Sequence, residues 1–266
     1  MLYIISTPIG NLKDVSFRAI ETLKSVDLIA CEDTRHSLKF LSAYDIKKPL
    51  VSYHKFNEKV SGANLIEELK SGKNIALISD AGTPLISDPG NVLTKMLVEE
   101  GIEFTVIPGA CAFIPALILS GLDSGRFCFL GFLPEKQIDR REFLAKYKDL
   151  DLTLIFYCAP HDIEKTVGYL CEAFGNRRAV AVREISKVYE QAVPFNLQDG
   201  YPGEQRGEFV IVVEGASGEC ELNSLSPKEH IDYYIAQGMD KKEALKKVAK
   251  DRGVPKSELY KYTIEE

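Results

Sequence analysis

Short apolar runs alternate with longer mixed stretches through the first half of the chain. Apolar runs of this length indicate buried strands, and the stretches between them are predicted as helices. The predicted strands are Leu2–Ser6, Asp27–Cys31, Leu50–Tyr53, Asn74–Ser79 and Phe104–Ile107. The predicted helices are Asp14–Ser25, Thr34–Tyr44, Glu58–Ser71, Asn91–Glu100 and Ala110–Ser120. Repeated strand–helix units predict an α/β fold with a mostly parallel sheet.

The second half repeats this alternation and then changes character. Its predicted strands are Phe127–Gly131, Leu152–Tyr157, Ala179–Glu184, Val188–Ala192 and Glu208–Glu214. A charged helix is predicted between the first two, and another helix over His161–Phe174. The last two strands follow without a helix between them, which indicates an antiparallel portion. We therefore predict a second α/β domain.

The tail carries helix signals of its own. Ser226 with Glu229 three residues on forms a capping box, and Pro227 occupies the first helical position. Asp240 is predicted to cap a second helix, and a third short helix is predicted near Ser257–Tyr262. Three short helices with glycine turns resemble a helix-turn-helix-like module. DNA recognition and docking to another surface both remain open for it.

These patterns divide the chain into three predicted parts. Residues 1–121 form an N-terminal α/β domain, residues 122–222 a second α/β domain, and residues 223–266 a helical C-terminal extension. A length of 266 residues is sufficient for two modest domains with separate cores.

Composition and charge narrow the class of protein. Hydrophobic residues make up 45% of the chain, and no apolar run reaches the ~20 residues that span a bilayer. The first residues, MLYIISTPIGN, carry no basic leader, so no membrane partner and a cytoplasmic location are expected. A net charge of −6 argues against general nucleic-acid binding but leaves room for a local basic face. The six cysteines never form C-x-x-C and the histidines are not paired, so no metal site is predicted.

Four loops that follow predicted strands share one construction. Each is rich in Gly, Pro or small residues, and several carry carboxylates; they are Thr7–Leu12, Glu32–Arg35, Asp80–Pro84 and Pro108–Ala112. In a parallel sheet such loops meet at the carboxyl edge, where open α/β sheets bind ligands. This composition suits a polar, partly cationic ligand with a flat ring. Asp33 has two interpretations, as an acid or base or as the cap of the following helix.

Three common site motifs are missing from the sequence. Neither G-x-G-x-x-G nor G-x-x-x-x-G-K-[ST] occurs, so ordinary dinucleotide and P-loop phosphate binding lose their main support. No G-x-S-x-G elbow occurs, which weighs against an α/β-hydrolase.

An ordered set of motifs resembles a known family. TPIGN, CEDTR, ISDAGTPLISDPG, IPGACA, GFLP, FYCAPHD, REISKVYE and RGEFVIVVEG follow one another along residues 1–215. Together they resemble the ribosomal RNA small subunit methyltransferase I family of the tetrapyrrole methylase superfamily. The helical tail is also similar to that family's C-terminal extension.

The resemblance implies a fold and a reaction. The fold would be the two-domain tetrapyrrole methylase type, a class III methyltransferase that uses S-adenosylmethionine (SAM), with the cofactor in the cleft between the domains. The protein would be a homodimer. Its reaction would be 2′-O-methylation of a cytidine ribose in the decoding region of 16S rRNA, within the small ribosomal subunit.

Motif by motif, the resemblance also implies site residues. The cofactor-binding set is Pro8, Ser79, Asp80, Leu85, Ile86, Cys111, Ala112, Cys158 and Ile185. The acid/base candidates are Glu32 and Asp33, and the substrate-binding set is Arg35, His54, Asn57 and Glu58. Three positions depart from the usual family pattern: Cys31 stands where an alanine is frequent, Phe56 where a histidine is frequent, and Asp162 where an arginine is frequent.

Two other functions compete with rRNA methylation. One is C-methylation of a porphyrinoid, which the helical tail and the loop sequence at Asp80 disfavour. The other is a SAM-binding regulator that uses its tail on nucleic acid. Methyl acceptance by a tetrapyrrole, or a gel shift on duplex DNA, would favour one or the other.

Overall fold

The computed structural model describes residues 1–216 and 221–262, and its first half is built on a five-stranded sheet. The strands are β1 (Leu2–Ile5), β2 (Leu28–Cys31), β3 (Leu50–Ser52), β4 (Ile75–Ile78) and β5 (Phe104–Ile107). They lie in the order β3-β2-β4-β1-β5, and every neighbouring pair is parallel. The loops that follow the strands therefore lie along one edge of the sheet.

Two helices pack on each face of this sheet. The helices are α1 (Phe17–Ser25), α2 (Thr34–Ala43), α3 (Glu58–Lys70) and α4 (Asn91–Glu99). Side chains alternate between the faces, so that Ile5 contributes to the core under α1 and α2, and Ile4 to the core under α3 and α4. The sheet is covered on both sides, which explains why its strands are continuous apolar runs.

The first helix begins later than predicted. Ser16 is its N-cap and accepts a hydrogen bond from the Ala19 amide at 3.1 Å, so α1 starts at Phe17 and not at Asp14. Residues Leu12–Asp14 instead form a short 3-10 turn, capped by the side chain of Asn11. The hydroxyl cap decides the start of the helix, because it satisfies an amide that would otherwise lack a partner.

A second five-stranded sheet confirms the predicted antiparallel portion. Its strands are β6 (Phe127–Phe132), β7 (Thr153–Cys158), β8 (Arg178–Arg183), β9 (Gln191–Asn196) and β10 (Phe209–Val213). They lie in the order β6-β7-β10-β8-β9, with β6 and β7 parallel and the other neighbouring pairs antiparallel. The predicted strand Val188–Ala192 is displaced, because Val188 and Tyr189 lie exposed in a loop. β9 is an edge strand, which accommodates Pro194 in its interior.

The second sheet is also covered on both faces. Helices α6 (Gln137–Ala145) and α7 (Ile163–Phe174) pack on one face. The other face receives α5 (Phe113–Ser120), whose Ala116 and Leu117 are buried against Val182 and Val212. Thus α5, which follows the last strand of the first sheet, is part of the core of the second. The predicted domain boundary after residue 121 stays a prediction.

The tail forms three helices, as predicted. They are α8 (Pro227–Ala236), α9 (Lys241–Arg252) and α10 (Lys256–Leu259). The capping box of Ser226 and Glu229 is present, and Asp240 accepts a hydrogen bond from the Glu243 amide at 2.7 Å. The helices share a small apolar core of their own. The predicted parts 122–222 and 223–266 also include residues 217–220 and 263–266, which lie outside the described residues.

Within the two ranges that the structure describes, no helix is long and apolar enough to cross a membrane.

Candidate active site

Two main-chain hydrogen bonds join the loops that follow β1 and β4. The Thr7 amide donates to the Gly82 carbonyl at 2.8 Å, and the Gly82 amide donates to the Thr7 carbonyl at 3.0 Å. Gly82 has a φ of +85°, a conformation that glycine adopts without strain. The two loops therefore behave as one unit at the carboxyl edge.

The hydroxyl of Thr83 extends this connection to the loop after β5. It lies 2.8 Å from the Ser6 hydroxyl and donates to the Ala110 carbonyl at 2.9 Å. Gly109 passes so close to β1 that a Cβ atom on it would lie 2.7 Å from the Ser6 Cβ. A side chain at Gly109 would push the β5 loop away, so this glycine is needed for the close approach.

A cavity of about 400 Å³ lies between the joined loops and the second sheet. Its volume is in the usual range for small-molecule sites. The loops of the first sheet contribute the side chains of Ile9, Asp80, Ile86, Asp88, Cys111 and Ala112. The second sheet and its loops contribute Phe132, Tyr157, Cys158 and Ile185, together with Glu208, which is paired with Lys187. The cavity is therefore largely apolar, with two carboxylates on the wall formed by the first sheet.

Three carboxylates, Glu32, Asp80 and Asp88, influence one another at this edge. Asp80 accepts a hydrogen bond from the Asp33 amide at 3.2 Å, which ties the β4 loop to the β2 loop. Burial raises the pKa of Asp88 to about 6, with further increases from the charges of Glu32 and Asp80 and an opposing hydrogen bond from Ser79. Burial, followed by the charge of Asp80, also raises the pKa of Glu32. Perturbed carboxylates at a cavity are typical of functional sites.

The thiols and the phenol of the cavity wall are neutral. Burial raises the pKa of Cys158 to about 11, and it also raises the pKa values of Cys111 and Tyr157, which are hydrogen-bonded to each other. The five described cysteines are free, and Cys220 lies outside the described residues. Negative charge in the cavity therefore comes from carboxylates. Among residues 1–216 and 221–262, no group of His, Cys, Asp and Glu is arranged to hold a metal ion.

Comparison with known proteins identifies the family. Residues 1–199 match the family model of Tetrapyrrole (Corrin/Porphyrin) Methylases. The chain is 46% identical to Ribosomal RNA small subunit methyltransferase I of Halalkalibacterium halodurans, over 97% of this chain and 93% of that protein. It is likewise 46% identical to the protein of that name from Bacillus subtilis, over 98% of this chain and 92% of that protein. The chain belongs to the ribosomal RNA small subunit methyltransferase I family.

Solved structures of more distant methyltransferases share the fold. The methyltransferase CobJ superposes with a TM-score of 0.61 at 17% identity, over 81% of this chain and 94% of that protein. Uroporphyrin-III-C-methyltransferase from Thermus thermophilus superposes with a TM-score of 0.57 at 19% identity, over 80% and 93%. The predicted two-domain α/β fold of the tetrapyrrole methylase type is therefore confirmed.

Six of the nine residues that the family motifs imply for the cofactor line the cavity. They come from three loops and from the end of strand β7, and are Asp80, Ile86, Cys111, Ala112, Cys158 and Ile185. The structure brings these residues together although they span more than a hundred positions of the chain. Their role in cofactor binding stays a prediction.

The other three implied residues lie off the cavity wall. Pro8 lies in the loop after β1, and its neighbour Ile9 lines the cavity instead. Ser79 is buried, and its hydroxyl donates to the Gly82 carbonyl at 3.2 Å. Leu85 has a φ of +71° and turns its side chain toward Gly90, in the core beneath α3 and α4. Ser79 and Leu85 thus stabilise the loop after β4 on the side that faces away from the cavity.

Asp33 is the N-cap of α2 in the structure. Its side chain accepts hydrogen bonds from the Arg35 amide at 2.7 Å and the His36 amide at 3.3 Å, and these bonds lower its pKa. The Arg35 guanidinium lies 3.6 Å from the same carboxylate and is 89% exposed. The capping interpretation of Asp33 is thus confirmed, and Arg35 projects into solvent beside it. Glu32, one residue earlier, differs from Asp33 in that burial raises its pKa.

The other implied substrate residues lie in the loop between β3 and α3 and at the first position of α3. Asn57 accepts from the His54 amide at 2.8 Å and donates to the Ser52 carbonyl at 3.1 Å, so its amide fixes the loop. Glu58 accepts from the Gly90 amide at 2.8 Å and from the Tyr53 hydroxyl at 3.2 Å. Both side chains are engaged with the protein, and so is His54, whose Nδ1 accepts a hydrogen bond from the Phe56 amide at 3.3 Å.

Asp88 is the residue that sequence reasoning missed. It belongs to the segment ISDAGTPLISDPG, whose first aspartate, Asp80, is predicted as a site residue because it directly follows a strand. Ser87 has a φ of +66°, and the loop turns back toward Glu32 and Asp80. A second aspartate followed by Pro89 and Gly90 was the available signal, but its approach to the other acids depends on this turn.

The raised pKa of Asp88 predicts a pH-dependent stability effect. The folded state favours the protonated acid, so ionised Asp88 destabilises the fold above about pH 6 and this cost disappears as the pH falls below its ordinary pKa of about 4. Asp88→Asn, which is neutral, should raise the free energy of unfolding by ~1–3 kcal/mol near pH 8 and have little effect near pH 4. Urea unfolding at both pH values measures this.

Asp33→Asn is the matched control, because the pKa of Asp33 is lowered and an asparagine also caps a helix. It should not stabilise the protein at the higher pH. Equal or lower stability of Asp88→Asn at that pH would contradict the burial of an ionised carboxylate.

Proposed function

We propose that this chain transfers a methyl group from SAM to ribosomal RNA of the small subunit, at the 2′ oxygen of a cytidine in the decoding region. The observation that carries the proposal is the cavity between the two sheets. It has the carboxylates of Asp80 and Asp88 on the wall formed by the first sheet, in a chain that is 46% identical to named small-subunit rRNA methyltransferases. That wall suits a cationic cofactor, and the family supplies the class of substrate.

The residues of the cavity fit SAM. A volume of about 400 Å³ accommodates a ligand of this size class. The carboxylates of Asp80 and Asp88 complement the positive charges of a sulfonium and an amine, while Ile86, Ala112 and Ile185 offer apolar surface for a flat ring. When bound, SAM would supply an electrophilic methyl group with a good leaving group already in place.

The chain's own residues must then position the acceptor and receive its proton. As the ribose oxygen forms its bond to carbon, the hydroxyl proton has to leave, and Glu32 is the acid that we assign to accept it. Glu32 is partly buried beside the cavity's carboxylates, and its raised pKa makes it a better proton acceptor than an exposed glutamate. Asp33 is less suited, because its oxygens already accept two amide hydrogen bonds.

The first prediction of the proposal concerns the substrate. The protein incubated with labelled SAM and small subunits lacking the modification should transfer one methyl group per subunit. Mass spectrometry of the digested RNA should place the methyl group on a cytidine ribose. Transfer to a tetrapyrrole instead, or duplex DNA binding without transfer to subunits, would replace the proposal with one of the competing functions.

The second prediction concerns Glu32. Glu32→Gln should lower kcat by ~10²–10³-fold, since a positioned base contributes about that much, and leave the SAM affinity within about twofold. Single-turnover methylation and calorimetry measure the two quantities. Asp33→Asn preserves the cap and should keep kcat within about threefold. Equal losses of kcat and SAM affinity in Glu32→Gln, or a greater loss of kcat in Asp33→Asn, would contradict the assignment.

We also propose that the protein is a homodimer. β5 is an edge strand, and its Phe104 and Val106 are partly exposed. The following helix, α5, exposes Ile114, Ile118 and Leu119, of which Ile118 is 69% exposed. An edge strand and a helix that together expose apolar side chains are typical of a surface that another chain covers.

Ile118→Asp tests the dimer. A charge on this surface should convert the protein to a monomer at micromolar concentration, because a buried unpaired carboxylate is costly. Analytical ultracentrifugation measures the mass. Val188→Asp is the control, since Val188 is 93% exposed in a loop of the second sheet and should leave the mass unchanged. A dimeric Ile118→Asp protein, or a monomeric parent, would refute this surface as the interface.

A further inference from the structure

The phenylalanine that departs from the usual family motif is almost fully exposed. Phe56 has 93% of its surface accessible, in the loop between β3 and α3. A single exposed apolar residue is ordinary on a protein surface. The position, the rigidity and the charge of its surroundings distinguish this one.

The loop that carries Phe56 is held in a fixed shape. The side chain of Asn57 forms hydrogen bonds with the main chain of His54 and Ser52. The main-chain amide of Asn57 also donates to the His54 carbonyl at 2.9 Å. The Phe56 amide donates to His54 Nδ1 at 3.3 Å, and the two rings meet edge to face with centroids 6.1 Å apart. The exposed ring is therefore presented on an ordered loop, so binding to it would cost little conformational entropy.

This loop lies directly beside the loop that carries Glu32. In the sheet Ser52 pairs with Cys31, and the Tyr53 amide donates to the Cys31 carbonyl at 2.8 Å. The Ser52 hydroxyl donates to the Glu32 carbonyl at 3.4 Å. A molecule bound against Phe56 would thus lie next to the loop that carries Glu32, the acid that we assign to the reaction.

Exposed basic residues occur on the two segments that meet beside Phe56, in a chain whose net charge is −6. Lys55 and Lys59 lie one residue before and three residues after Phe56, and Arg35 and Lys39 lie on α2, which follows the Glu32 loop; all four are exposed. Among the described residues, the three lysines take part in no ion pair within 4.0 Å. Cations around an exposed aromatic ring are the footprint of single-stranded nucleic acid, because phosphates follow the charges and bases stack on the ring.

We propose that Phe56 stacks on an unpaired base of the substrate RNA next to the nucleotide being methylated, with Arg35, Lys55 and Lys59 contacting the adjacent phosphates. This inference rests on the proposed function and deepens it. Phe56 acts as a positioning residue, since its ring holds the strand and takes no part in the chemistry. A histidine at this position would also offer a flat ring, but phenylalanine does so without a titratable group.

Steady-state methylation of small subunits lacking the modification gives the first test. Phe56→Ala should raise KM for subunits about 10- to 100-fold, as expected for one lost stacking contact, with kcat and SAM affinity nearly unchanged. Phe56→Tyr keeps the ring and should restore KM to within about threefold of the parent value. Val60→Ala is the control, since Val60 is 70% exposed in the first turn of α3, which follows the loop, and has no ring to stack.

The absence of tryptophan from the chain permits a direct test of stacking. Phe56→Trp introduces a single fluorophore that can be excited selectively, and stacking against a base should quench it. We expect quenching by a single-stranded oligocytidine RNA and much less by the same RNA in a duplex. Val60→Trp, with its fluorophore on the neighbouring turn, should show little quenching by either.

The outcomes separate this inference from the proposed function. An unchanged KM for Phe56→Ala, or no quenching of Phe56→Trp by the single strand, would overturn the stacking role. A raised KM without quenching would also overturn it, because the contribution of Phe56 to subunit binding would then come from a contact other than base stacking. If the parent protein methylates no subunits, the proposed function fails, and this result is independent of the fluorescence measurement.

Discussion

The site depends on the pair of main-chain hydrogen bonds between Thr7 and Gly82. β1 and β4 are neighbours in the sheet although more than seventy residues separate them, so their loops emerge side by side. The two bonds satisfy amides and carbonyls that would otherwise face an apolar cavity, where an unpaired polar group is costly. With Thr83 bonded to Ser6 and to the β5 loop, three chain segments form one wall.

Environment divides the acids of this edge into two kinds. Asp33 caps a helix in partial contact with solvent, and its pKa falls because two amides favour the charged form. Glu32 and Asp88 lie deeper, where burial and neighbouring acids favour the neutral form. Acids a few residues apart in sequence thus acquire opposite properties, a general way in which one fold supplies both a structural carboxylate and a proton acceptor.

The sequence pattern predicted the first sheet well, because strands buried on both faces are continuous apolar runs. Side-chain caps were also readable, as Ser226 and Asp240 show. The edge strand β9 was misplaced, since an exposed strand with Pro194 gives a weak pattern. Six of the cofactor candidates that the family motifs imply lie on the cavity wall. Leu85 was predicted to line the cavity and Asp88 was not, because the positive φ values of Leu85 and Ser87 reverse the course of the loop and the residue types there do not indicate such a turn.

The helix α5 has a consequence for how ligands enter and leave. Cys111 and Ala112, which directly precede α5, belong to the cavity wall formed by the loops of the first sheet. Ala116 and Leu117 of the helix belong to the core of the second sheet. A change in the angle between the two sheets would therefore bend the chain at residues that line the cavity, because α5 itself is packed in the second core. Entry and release of a ligand and the relative placement of the two sheets are thus coupled through this one short segment.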